Sequence, residues 1–161
     1  MPSDISEPII EALYSEALVL ADEVRAVFDL RSVSGPDSDG DQLRFAMSVE
    51  GLRTTTRIMH ALAWLLNQRA YMSGQMSDFQ LRRHGTLPPD RPSDPDHLAL
   101  LEWPTRDLIA ATEALHARIA RLDRAWRDGL SAQPSAVLRL RERLQERLHE
   151  TSGTPLQVVS Q

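Results

Sequence analysis

A chain of 161 residues is long enough for one domain that buries roughly two-thirds of its unfolded surface, and its 42% hydrophobic and 25% charged residues are ordinary globular values. It has no Cys and no Lys, all 18 basic residues being Arg, which excludes disulfides, thiolate nucleophiles, Cys-ligated metals, Schiff-base catalysis and a phosphate-loop lysine. The formal charge of −5 argues against a general nucleic-acid binder, which needs a basic face for counterion release.

Aromatic residues make up only 5% of the chain, so the core must be Leu, Ile, Val, Ala and Met, a composition of helices rather than strands. The segment Met1 to Pro8 has neither the basic nor the apolar region of a secretory signal. The longest apolar stretch, Ile58 to Leu66, falls well short of the roughly 20 residues that a spanning helix needs. A soluble, cytoplasmic protein with no membrane contact is expected.

In chain order, the first helix should start at the N-cap candidate Ser6, with Glu7 and Pro8 in its first turn. Its apolar stripe is Ile10, Leu13, Ala17, Leu20, Val24 and Val27, widened by Phe28. Residues 32–40 form a turn-rich loop. The second helix, about Asp41 to Ser73, carries a heptad-like seam of Phe45, Val49, Leu52, Thr56, Met59, Ala63, Leu66 and Ala70, which is expected to face the core. A second stripe of Ile58, Leu62 and Leu65 lies on a neighbouring face, so around residues 58–66 this helix is apolar over most of its circumference. Such a helix is buried on more than one side. The helix is then either the central member of the bundle or the carrier of a dimer interface; Ile58, Leu62, Leu65 and Arg69 are the candidate surface of a homodimer, the rival being that this stripe contacts the C-terminal helix within one chain.

Gln75 to Arg83 can add one or two helical turns, ending in the basic cluster Arg82, Arg83 and His84. That cluster suits a helix C-terminus, and Arg82 and Arg83 are also candidates for docking an acidic partner. Residues 85–96 are a Pro- and Asp-rich extended loop returning the chain to the bundle. After a lead-in turn from Leu98 to Trp103, a third long helix spans about Thr105 to Asp128, with the seam Leu108, Thr112, Leu115, Ile119, Leu122 and Trp126, and Gly129 ends it. The expected fold is all-α, an antiparallel, up-down-up three-helix bundle over residues 1–130. Residues 131–161 add a C-terminal helix, Pro134 to Glu150, with the narrow stripe Val137, Leu140, Leu144 and Leu148. A flexible tail follows, in which Leu156, Val158 and Val159 are candidate partner-binding residues.

Catalytic motifs are absent: there is no Gly-rich phosphate loop, no G-x-S-x-G elbow and no H-E-x-x-H pair. Glu-x-x-His occurs twice, at Glu113/His116 and Glu146/His149, as in di-iron bundles. Against the stripe Leu108, Thr112, Leu115 and Ile119, however, Glu113 points outward and His116 lies on the flank; Glu146 and His149 fall off their own stripe. No catalytic residue, metal ligand or cofactor is expected, and a metal-binding bundle and a DNA-associated helical regulator stand as the alternatives.

Glu50 to Met59, reading E-G-L-R-T-T-T-R-I-M, followed by Ala63-Trp64-Leu65-Leu66 and Gln68-Arg69-Ala70, resembles the signature of the regulator of CtrA degradation (RcdA) family. Arg118 to Asp123, R-I-A-R-L-D, is similar to that family's third helix. The likeness covers about residues 10–130 and is most specific across 50–70. It implies a three-helix bundle that forms a homodimer and acts as a non-enzymatic adaptor. Its partners would be the ClpXP protease, a response regulator that primes it, and substrate proteins or further adaptors, so that it times the destruction of cell-cycle regulators. The family's C-terminal tail also takes part in function.

Overall fold

The first helix, α1 (Glu7–Val27), buries Ile10, Leu13, Ala17, Leu20 and Val24, the stripe expected from its three- and four-residue spacing. Acidic Glu7 in its first turn and Arg25 in its last complement the helix dipole. The computed structural model describes residues 7–29 and 38–131, together with helical positions 140, 141, 143–145 and 147. Every regular element among them is an α-helix: α1, then α2 (Ser38–Met72), α3 (Asp78–His84), α4 (Pro95–Leu100) and α5 (Trp103–Ser131).

The long helices α1, α2 and α5 share one core. It is built from the α1 stripe, from Ile58, Ala61, Trp64 and Leu65 of α2, and from Leu108, Leu115 and Ile119 of α5. Pro104 falls in the first turn of α5, where its missing N–H costs nothing. Gly129 does not end this helix, which runs on to Ser131. Gly51 marks a close approach. A Cβ there would lie 2.8 Å from the Phe28 ring, so a glycine lets the end of α1 press onto α2.

The up-down-up order is corrected by the cross-helix contacts. Glu11 of α1 meets Arg69 late in α2, while Phe28 meets Gly51 early in it, so these two helices are antiparallel. Between α2 and α5, Arg57 meets Thr112, Trp64 meets Asp123, and Tyr71 meets Trp126. Both numbers rise together, so α5 runs parallel to α2 and antiparallel to α1. The physical reason is the connection from Ser73 to Glu102, which returns along the bundle before α5 begins rather than turning tightly at its end.

That connection is well anchored. Ser77 and Gln80 form a reciprocal capping box at the start of α3, and Leu81 is buried. Residues 85–94 then cross the bundle as a strap, and Asp94 caps α4 by accepting from the Asp96 N–H. At the far end of the chain, positions 140, 141, 143–145 and 147 are helical, with Leu140 and Leu144 exposed. The remainder of the expected C-terminal helix, and the tail with Leu156, Val158 and Val159, lie outside the described residues.

Candidate protein interface

Helix α2 has two contrasting faces, the Ile58 stripe turned inward as in a central member of the bundle and the heptad seam turned outward. Ala46, Glu50, Thr54, Arg57, Ile58, Ala61, Trp64, Leu65 and Gln68 are buried against the rest of the chain. Opposite them, the seam expected to face the core is open to solvent: Phe45 is 63% exposed, Leu52 71%, Met59 63% and Leu66 47%. Thr56 and Ala63 between them are exposed, and Val49 and Ala70 half-buried. The candidate dimer stripe is corrected accordingly. Ile58 and Leu65 are fully committed to the core, and Leu62 is half-buried against it, because α1 and α5 close over that side of α2. Arg69 ties two helices of one chain together: its Nε donates to Glu11 Oε1 at 2.6 Å, and its guanidinium lies 4.4 Å from the Tyr14 ring centre.

Two of the polar residues on the buried face, Arg57 and Glu50, are held by the strap and the turn that follows it, whereas Thr54 Oγ1 and Gln68 Nε2 are buried without a hydrogen-bond partner among the described residues. Arg57, whose side chain is wholly buried, donates from Nε to both oxygens of Asp90 at 2.8 and 2.9 Å. Its other nitrogens reach Thr112 Oγ1 at 3.0 Å, the Arg91 carbonyl at 3.1 Å and Glu113 Oε1 at 3.3 Å. Glu113 also accepts from the Ser93 hydroxyl at 2.9 Å. One guanidinium thus binds α2, the strap and α5 in a single fork, which a lysine could not do. Two turns earlier, Glu50 Oε1 accepts from Arg53, from the Asp94 N–H at 3.2 Å and from His97 Nδ1–H at 3.1 Å. Burial pushes the Glu50 carboxyl up, but the bonds from Asp94, His97, Ser93 and Arg53 outweigh it and hold the group below its ordinary range. His116 Nε2 lies 3.1 Å from the Pro88 carbonyl and donates to it. Glu113, expected to point outward, and His116, expected on the flank, are therefore strap anchors.

Three hollows border the exposed seam at successive heights. Near its start, Phe45, Gln42, His97 and Leu100 line one, and the Phe45 ring meets His97 edge-on at 5.6 Å. In the middle, Leu52, Thr56 and His60 face Pro89 and Arg91 of the strap. Near its end, Leu66 and Ala70 lie beside Glu7, Glu11 and Met72 around a hollow of about 400 Å³. The seam is thus a shallow, apolar track on a helix whose other side is locked to the core. Of the remaining candidates, Arg82 and Arg83 are exposed on the last turn of α3, where Arg82 pairs with Asp78 at 2.7 Å. They lie on a different helix from the seam.

Fold and site together define an all-helical protein that presents an apolar heptad face. No described helix is long and apolar enough to cross a membrane. Residues 2–148 match the family described as "Protein of unknown function (DUF1465)", and the chain belongs to that family. No curated protein and no solved structure matches it.

Proposed function

We propose that this protein is a non-enzymatic, cytoplasmic adaptor that acts as a homodimer, resembles the RcdA family, and delivers cell-cycle regulators to the ClpXP protease with a response regulator as priming partner. In this reading α1, α2 and α5 form the three-helix scaffold, and the C-terminal segment is an accessory element for partners. The observation that supports it best is the exposed α2 seam. Large apolar side chains at Phe45, Leu52, Met59 and Leu66 are held out to solvent by a helix that the Arg57 and Glu50 clusters fix from behind. Apolar surface of this extent on a rigid support marks a protein-binding face. The dimer surface moves with it, from the buried Ile58 and Leu65 to the seam.

The adaptor role is tested with the full chain immobilised in a native lysate, and with purified ClpXP and its captured cargo. Recovery of the protease with a response regulator or cargo, and faster cargo degradation on adding the protein, is the expected result. If neither the protease nor such partners bind a folded bait, the proteolysis role falls, while the fold and the self-association remain to be judged separately.

A further inference from the structure

We propose that the α2 seam pairs with the same seam of a second copy as an antiparallel coiled coil in one register. Phe45 then faces the partner's Ala70, Val49 the partner's Leu66, Leu52 the partner's Ala63, and Thr56 the partner's Met59. This rests on the homodimer part of the proposed function and specifies its geometry.

Along the seam the large residues Phe45, Leu52, Met59 and Leu66 alternate without exception with the smaller Val49, Thr56, Ala63 and Ala70. A parallel pairing would stack like on like, so that overfilled layers such as Phe on Phe alternate with hollow ones such as Ala on Ala. Close packing disfavours both. An antiparallel pairing sets one large against one small side chain in every layer, which is how facing positions interdigitate. Sliding it by a heptad keeps that alternation but strands seam residues at both ends. Only the stated register pairs all eight positions.

The spacing and symmetry agree. A strict seven-residue repeat on a 3.6-residue helix drifts slowly around it, and pairing along such a stripe imposes a left-handed supercoil. From Phe45 to Ala70 the seam is roughly 38 Å long at 1.5 Å per residue. The pairing is isologous and closes at two copies, leaving no free seam to propagate. The rival occupant within the chain is the C-terminal stripe Val137, Leu140, Leu144 and Leu148. It spans less than half that length, and its sequence of one Val and three Leu does not repeat the alternation of large and small residues.

A double-mutant cycle on the full chain tests the register. Leu52 and Ala63 are both exposed in the single chain, so neither substitution touches the core. Leu52→Ala should empty two symmetry-related layers and Ala63→Leu should overfill the same two, each weakening the dimer at least ~10-fold in sedimentation equilibrium. The double variant should recover to within roughly threefold of the unmodified protein, since the added leucine fills the vacated space. The register is overturned if the two losses simply multiply, or if Ala63→Leu tightens the dimer as like-on-like stacking requires, and the dimer itself then stands. If the unmodified chain is monomeric at roughly 100 µM, a free energy weaker than about −5.5 kcal/mol, the homodimer reading fails and the inference with it.

Discussion

Ile58 and Met59 are neighbours in the chain but belong one to the buried and one to the exposed face of α2, so truncating each to Ala measures which face holds the fold together. Ile58 is 3% exposed and packed among α1 and α5 residues, whereas Met59 is 63% exposed. Ile58→Ala removes three buried carbons, a transfer loss of about 2.4 kcal/mol at 0.8 kcal/mol each, and a cavity contribution brings the expected cost to about 3–4 kcal/mol. Met59→Ala takes away a side chain already in water and should cost less than about 0.5 kcal/mol. Urea unfolding followed by Trp fluorescence reads both, since Trp64 and Trp126 are buried. The titrations belong at low micromolar concentration and below, where self-association adds least to apparent stability. Equal losses, or a larger loss for Met59→Ala, would refute the assignment of faces.

Other outcomes follow from the polar clusters. Arg57→Ala should cost about 2–3 kcal/mol in the same assay, less than the about 3–5 kcal/mol of a fully buried pair because Asp90 and Glu113 keep contact with water. The amides of residues 88–93 should exchange faster with solvent in that variant, and Arg57→Lys should restore only part of the loss. Trp64→Phe removes the donor that reaches Asp123 Oδ1 at 2.8 Å; it should cost about 1–2 kcal/mol, read by far-UV circular dichroism on urea titration. Glu50 has a lowered folded pKa. Its stabilisation is thus fully present above the unfolded Glu value of about 4.3 and drains away as the pH falls through the lower folded value. Glu50→Gln should flatten that part of the acid limb between pH 6 and pH 3 while lowering stability at neutral pH. An unchanged acid slope would contradict the role given to Glu50.

Helices α1 and α5 were legible because each carries one continuous apolar stripe at three- and four-residue spacing, and the stripe from Ile10 to Val24 is the buried one. Helix α2 misled because it carries two. Apolar periodicity favoured the longer seam, yet the face that packs inward includes Glu50, Thr54, Arg57 and Gln68. Hydropathy counts such residues as surface, and nothing in their local spacing shows that the strap will reach over Arg57 and Glu50. A weaker signal was present. The acidic strap residues Asp90 and Asp94 sit in a segment whose prolines restrict its backbone, and such a segment needs partners if it is to lie against a bundle. The direction of α5 was hidden for a related reason, because stripes show which side is buried and not which way the helix runs. The length of chain from Ser73 to Glu102, far more than a tight helix-to-helix turn uses, was the only sequence hint of a return crossing.

The most direct test of the interface is sedimentation velocity of the full chain across a concentration series, beside a Leu52→Glu/Met59→Glu variant. Both positions are more than half exposed in the single chain, so the variant should keep its helicity and its urea midpoint. The account predicts a dimer for the unmodified protein and a monomer for the variant, because two charges per copy would be buried without partners along the paired seams. A variant that still dimerises, or an unmodified chain that stays monomeric throughout, would contradict it.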